Sequence, residues 1–454
     1  MPDLRSTARE PGTPTVLHPE WVWTEEGPRT GMSVVLTTEI VQVSSRDRHP
    51  EGEALPGKLL LPGFVNAHSH AFQRAIRGHV QWTRDADSDF WTWRDRMYAA
   101  ANGLAPEGIE AVSRLAFLEM LEAGFTTVGE FHYLHRQPDG TPYADPDELA
   151  SRVVSAALDV GLRICLLRVV YARGGFDVPL GPNQQRFLTT TPDEALSAVA
   201  RLSEHPDPRV SVGLAPHSVR AVPRDWLAEL ARYDGPIHAH VSEQPAEVRA
   251  TLEATGLTPL ALLDEHGLVT PRFTAVHLTH PTPDDLARMR RSGARICVCP
   301  TTELDLGDGF LPVEARHGIG LCIGTDSHAR IDALEEARSL ELHARAVAGR
   351  RNVMSPPGEL HGLSERLLRA LTVEGAQALG SPAGRIVPGA PADLVAIDLE
   401  RPAALGVPPL EAAVFGASPE WVSDVWVGGE RVVSGGRHPA RERVIAAARP
   451  YLAV

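Results

Sequence analysis

The chain has 454 residues, is 43% hydrophobic and 22% charged, and carries a net charge of -14. That length exceeds one ordinary core, so a large domain with a smaller companion is expected. The acidic balance argues against non-specific binding to nucleic acid or to anionic membranes, and an acidic small substrate would need a local arginine cluster.

Residues 1–58 hold short β-type runs, Trp21 to Trp23, Ser33 to Thr37 and Glu39 to Val43, broken by proline and glycine. They predict part of a small sheet. From residue 59 the pattern changes to strands alternating with helices. Eight strand-like runs cover 59–68, 125–133, 163–171, 210–216, 236–241, 273–279, 294–299 and 320–325. Helical spacing marks 106–123, 147–160, 192–203, 224–233, 283–291, 332–348 and 364–379. Strands alternating with helices imply right-handed βαβ units, and eight of them fit an α/β fold, a (β/α)8 TIM-like barrel over 59–383. The stretch 173–191 is the longest loop-like segment and is expected to act as a lid. After 384 the helices stop. Asp393 to Asp398 and Trp421 to Val433 read as strands, the latter turning at Gly428-Gly429. Segments 1–58 and 384–454 are therefore expected to meet as a small composite β-sandwich domain.

The cysteines Cys165, Cys297, Cys299 and Cys322 lie in apolar runs and read as buried thiols. No run of about 18 apolar residues and no basic-then-apolar leader is seen, so the expected compartment is cytoplasmic.

Catalytic groups in a barrel of this kind sit at the C-terminal ends of strands. His68 and His70 close the first run and, being two apart in a strand, share a face. Glu130, His132 and Tyr133 close the second run and His217 follows the fourth. His238, His240 and Glu243 close the fifth, His277 lies in the sixth, and Thr301, Thr302 and Glu303 follow the seventh. Asp326 and His328 close the eighth. Three histidines and a carboxylate suit zinc or ferrous iron with one position left for water. His68, His70, His240 and Asp326 form the obvious set. His238, on the same strand face as His240, is the alternative to it, and His277 is either a further ligand or a group that orients water. Lys58 is the only lysine and precedes the first barrel strand. It cannot bridge two metals from a middle strand, which favours one metal, with a carboxylate bridge as the alternative.

The stretches LPGFVNAHSHAFQRAIRG (61–78), GEFHYLH (129–135), APHSVR (215–220), HVSEQPAEV (240–248), TAVHLTH (274–280), CPTTELDLGDG (299–309) and GTDSH (324–328) run through the whole barrel in order. On them the chain resembles the amidohydrolase superfamily, and within it the formimidoylglutamate deiminases of histidine degradation. It departs from their wording at Leu304 and Asp305. The resemblance implies hydrolysis of N-formimidoyl-L-glutamate to N-formyl-L-glutamate and ammonia, with one divalent metal, zinc before iron. It implies Asp326 as the group that takes the water's proton, His277 as the residue that orients the nucleophile, and Glu243 as the general acid. It points to Gln73, Arg94, Tyr133, His217 and Arg220 for the substrate, with Arg96 the neighbouring alternative to Arg94, and to a homodimer. A single-metal aminohydrolase of a purine, pyrimidine or triazine ring is the alternative function.

Overall fold

The computed structural model describes residues 13–82 and 90–452. The outermost residues of both flanking segments thus lie outside the described residues.

Chain entry builds five strands: β1 (Thr15–Thr24), β2 (Gly27–Thr30), β3 (Met32–Leu36), β4 (Ile40–Ser45) and β5 (Glu53–Pro62). The barrel strands follow as β6 (Phe64–Ser69), β7 (Phe125–His132), β8 (Arg163–Val170), β9 (Val210–Pro216), β10 (Ile237–Val241), β11 (Phe273–His277), β12 (Arg295–Val298) and β13 (Gly320–Ile323). They pair in parallel in chain order. A bridge from Ser69 to Asp326 brings β13 back to β6 and all but closes the barrel. The last three strands are β14 (Leu394–Asp398), β15 (Val422–Val427) and β16 (Glu430–Ser434).

The run expected as one strand over 59–68 is two. Leu59 to Pro62 belong to β5 of the flanking sheet, and β6 starts at Phe64. Gly63 makes the break possible, because a Cβ there would sit 2.2 Å from Thr126 Oγ1. Both chain ends contribute to one mixed sheet in the order β16-β15-β14-β5-β1-β3-β4, with β2 on β1. Successive side chains of a strand face opposite ways, and this sheet uses both faces. Leu60, Leu394, Ala396 and Trp426 pack into its own core with Leu17, Val34 and Ile40. Leu59, Leu61, Val395 and Ile397 join the large core of the barrel.

The expected helices occur as α2 (Pro106–Glu122), α3 (Glu148–Val160), α4 (Pro192–Ser203), α5 (Arg224–Leu230), α8 (Pro283–Ser292) and α10 (Ala333–Ala348). Between them lie α1 (Phe90–Gly103), α6 (Pro245–Thr255), α7 (Pro259–Glu265) and α9 (Pro300–Leu306). The helix expected over 364–379 is two, α11 (Gly362–Leu371) and α12 (Val373–Ala378), divided where Thr372 leaves helical geometry at φ -125°, ψ -90°. Helices also continue past 384, where α13 (Arg441–Ala448) packs on α2. The segment 173–191 is anchored rather than loose. It carries a short helical turn at Pro182–Phe187, whose Arg186 is fully buried and donates to the carbonyls of Ala101 and Leu104. Among the described residues no helix is long and apolar enough to cross a membrane.

Candidate active site

The site forms where β6 and β13 are stitched together. The carbonyl of His68 accepts from Thr325 N at 3.1 Å and Asp326 N at 3.0 Å, and His70 N donates to Asp326 O at 3.0 Å. Gly324 permits this approach, since a Cβ there would meet the Cβ of His68 at 2.7 Å. Asp326 sits in the left-handed region at φ 43° and turns its carboxylate onto the histidines. His68 Nε2 and His70 Nε2 lie 3.1 and 3.2 Å from Asp326 Oδ1. His68 Nε2 is 3.2 Å from His70 Nε2 and 3.2 Å from His240 Nε2. All four ligand atoms are within 4.8 Å of one another, and all four residues are buried.

The tautomers explain what this cluster is for. His70 Nδ1 lies 3.0 Å from Phe131 O, and His240 Nδ1 lies 3.1 Å from His217 O. A carbonyl only accepts, so both Nδ1 atoms carry hydrogen and both Nε2 lone pairs point at the cluster centre. Burial holds His68 down to about pKa 3 and His240 well below the ordinary histidine value, so both are neutral. Burial alone would raise Asp326, but its close approach to the His68 and His70 imidazoles holds it well below the usual carboxylate range. Lone pairs and an anion facing each other at about 3.2 Å repel unless a cation lies between them. Zinc–nitrogen bonds of about 2.0–2.1 Å in a tetrahedron place neighbouring ligand atoms roughly 3.3 Å apart. The donor set therefore fits one divalent metal.

His238 is not part of the cluster. Its Nε2 lies 2.8 Å from Ala378 O. His238 shares a strand face with His240, but the carbonyl of Ala378 on α12 captures its imidazole. Several other polar residues at strand ends brace the site instead of entering it. Glu130 accepts from Ser69 Oγ at 2.5 Å and Ala71 N at 2.8 Å, fixing the turn after His70. His328 lies 3.1 Å from Ser69 Oγ and 3.0 Å from Thr325 Oγ1. His132 turns towards His135, and Thr301 and Thr302 bond Glu336 and Ser327.

His277 occupies the space beside the cluster, again with a left-handed backbone at φ 69°. Its Nδ1 is 3.4 Å from Glu303 Oε1, while its Nε2 is 3.7 Å from Glu243 Oε1 and 4.0 Å from Asp326 Oδ2. Burial would lower it, but Glu243, Glu303 and Asp326 together push it up to about 10. Burial pushes the Glu243 carboxyl above its ordinary value. Asp308, on the loop after α9, is buried and accepts from Gln244 Nε2. Burial and then the Glu243 charge push it up to about 9.

One cavity unites these groups. Gln73, Arg94, Tyr133, His217 and Arg220 line it with His70, His240, Glu243, His277 and Asp326. Gln73 Nε2 donates to Tyr133 Oη at 3.0 Å. Arg94 faces the cavity from α1, with its guanidinium carbon 5.5 Å from the centre of the Tyr98 ring, whereas Arg96 is exposed. Leu304 and Asp305 are exposed on α9, and Asp305 accepts from Gln81 at 3.1 Å. Trp93, Met97, Tyr98, Tyr171 and Phe187 complete the wall and were missed by sequence reasoning. Tyr171 had a signal, because it follows β8 directly, as Tyr133 follows β7. Tyr98 and Phe187 come from a helix and a loop and had none.

The residues from 59 to 432 match the model of the amidohydrolase family. Formimidoylglutamate deiminase of Pseudomonas aeruginosa is 38% identical over 411 residues, covering 87% of this chain and 89% of that protein. The crystal structure of an amidohydrolase from Brucella melitensis superposes with a TM-score of 0.90 at 34% identity, covering 96% and 99% of the two chains. An adenosine deaminase from Xanthomonas campestris with bound zinc gives 0.82 at 25% identity over 96% and 97%. With this match over most of its length and a four-ligand metal site at the mouth of its barrel, the chain belongs to the amidohydrolase family and is a metal-dependent hydrolase.

Proposed function

We propose that the enzyme hydrolyses N-formimidoyl-L-glutamate to N-formyl-L-glutamate and ammonia. One observation carries this reading: two arginines, Arg94 and Arg220, share a single cavity with the metal ligands His70, His240 and Asp326 and with Glu243 and His277. The substrate has two carboxylates, and the planar guanidinium fork is their fitting partner. The 38% identity to a formimidoylglutamate deiminase supports the same choice.

His68, His70, His240 and Asp326 would hold a divalent metal, which when bound would lower the pKa of a water towards roughly 7. Asp326 takes a proton from the attacking water through Oδ2, the oxygen turned towards His277. His277 Nε2, which makes no hydrogen bond among the described residues, orients the nucleophile and steadies charge at the tetrahedral carbon. Glu243, beside His277 and outside the ligand set, delivers a proton to the departing nitrogen. Water oxygen is gained at the amidine carbon, the terminal C–N bond breaks, and the nitrogen leaves as ammonia. Gln73, Tyr133 and His217 hold the remaining polar atoms of the substrate. Zinc is the metal of this reading, supported by the zinc of the adenosine deaminase relative, and the working form is a cytoplasmic homodimer.

A ring deaminase is the second reading, favoured by the aromatic wall of Trp93, Tyr98, Tyr171 and Phe187 and by that same relative. Ammonia release from formimidoylglutamate, compared with adenosine, guanine and cytosine, separates the two. Arg94→Ala and Arg220→Ala should each lower kcat/KM for formimidoylglutamate by about 30-fold or more, from about 2–5 kcal/mol per lost charge partner. Normal turnover by both variants would sink the glutamate reading.

A further inference from the structure

Arg220 lines the cavity, and its buried Nε makes no hydrogen bond among the described residues. Its place therefore depends on the backbone that carries it. Arg173 holds that backbone from behind, with Nε donating to Arg220 O at 3.0 Å and Nη2 donating to Val219 O at 3.1 Å. The planar fork of one guanidinium serves two neighbouring carbonyls at once. Main-chain bonds run alongside, from Ala172 N and Arg173 N to Ala221 O at 2.8 and 3.1 Å. The Arg173 guanidinium also rests over the Phe176 ring, 5.1 Å from its centre. The same segment, 173–191, grips the helix of the other cavity arginine. Arg94 stands on α1, whose Asn102 donates from Nδ2 to Asn183 O at 2.9 Å. Arg186 donates to Ala101 O near the end of that helix and to Leu104 O just beyond it. One segment thus ties together the two elements from which Arg94 and Arg220 reach the cavity.

We infer that Arg173 is a positioning residue which, with the 173–191 segment, sets the gap between Arg220 and Arg94 and so selects diacids by the number of carbons between their carboxylates. A guanidinium and a carboxylate meet through two parallel hydrogen bonds, a geometry that a shift of one bond length destroys. A fixed gap between two such partners rejects a diacid one methylene shorter. A gap free to close accepts both. The inference rests on the glutamate reading, which pairs the two arginines with two carboxylates, and extends it to a residue that touches no substrate.

Arg173→Met keeps the aliphatic stem and removes the fork, and Arg173→Lys offers one ammonium where two carbonyls need donors. Both are assayed for ammonia release from N-formimidoylglutamate and from N-formimidoylaspartate, which is one methylene shorter. Arg173→Met should lower the preference for the glutamate form, as the ratio of kcat/KM values, about tenfold, the weight of a hydrogen bond from a charged group. The change should lie in KM, with kcat on formimidoylglutamate within about twofold of wild type. Arg173→Lys should fall between the two. Asn102→Ala loosens the same gap from the side of α1 and should narrow the preference in the same direction, so it decides the matter should Arg173→Met fail to fold. Equal losses on both substrates, or an unchanged ratio, would overturn the inference, because a merely structural residue spares the ratio. Calorimetry with glutarate and succinate on the metal-loaded protein separates this from a wrong substrate. If wild type releases no ammonia from formimidoylglutamate, the glutamate reading fails. Glutarate should still bind more tightly than succinate, and Arg173→Met should shrink that difference about tenfold. Equal binding of the two diacids by wild type, binding of neither, or a difference that survives both Arg173→Met and Asn102→Ala overturns the inference.

Discussion

The molecule contains two sheets of eight strands built to opposite rules. In the mixed sheet, left-handed backbone falls on glycine, at Gly27, Gly57, Gly428 and Gly429 for example. Among the described residues no side-chain-bearing residue of its strands adopts that conformation. At the mouth of the barrel the same backbone region is occupied by Ser242, His277, Leu278, Asp326 and His328. Such positions cost about 1–3 kcal/mol each and persist where surrounding structure over-determines them. Two of them are the groups proposed to handle the nucleophile. Buried charge divides in the same way. Lys58 and Asp398 of the mixed sheet neutralise each other at 2.8 Å. At the mouth, by contrast, Glu243, Glu303 and Asp326 crowd around one imidazole. One sheet is built for stability, and the other holds strain that a ligand can relieve.

Metal removal is the sharpest way to break this contrast. Chelation, or His240→Ala, should take ammonia release to background. It should also lower the melting temperature, because a ligand present at 100 times its Kd contributes about 2.7 kcal/mol. Elemental analysis alongside calorimetry checks both effects, and full activity in metal-free protein would contradict the site. Glu243→Gln comes next. It removes a proton donor without touching the cluster, so kcat should fall about 100- to 10,000-fold while bound metal stays at the wild-type level. A loss of metal in that variant would mean that Glu243 holds the cluster and does not serve the leaving group. The smallest effect on catalysis belongs to the other sheet. Trp426, 1% exposed in the core of the mixed sheet, should cost about 3–5 kcal/mol of stability when truncated to alanine. Its kcat and KM should stay at wild-type values at temperatures where the variant is folded, and denaturant titration with parallel kinetics measures the split.

Most of the barrel was legible because periodicity is local. Apolar runs such as 163–171 and 210–216 met the observed strands within a residue or two. The error at 59–68 has the same origin: Leu59 to Pro62 and Phe64 to Ser69 have equal strand character, and nothing local says that they serve different sheets. Helix α13 was missed because the expectation for the C-terminal segment rested on its strands alone.

His68, His70 and Asp326 could be named from sequence, since strand geometry puts i and i+2 on one face and barrel strands end at the site. The choice of His240 over His238 could not. It depends on where the Ala378 carbonyl stands, 140 residues away, and on the His217 carbonyl that turns His240 inwards. Likewise, the packing of α1 against the 173–191 segment leaves Arg94 lining the cavity and Arg96 exposed. Residue types and their spacing determined the chemistry available to this protein. Only the closure of the barrel, which sets Asp326 against two histidines some 258 residues earlier, decided which atoms share a point in space. Periodicity reports the direction of a side chain within its own element, whereas a metal site needs directions from several elements at once.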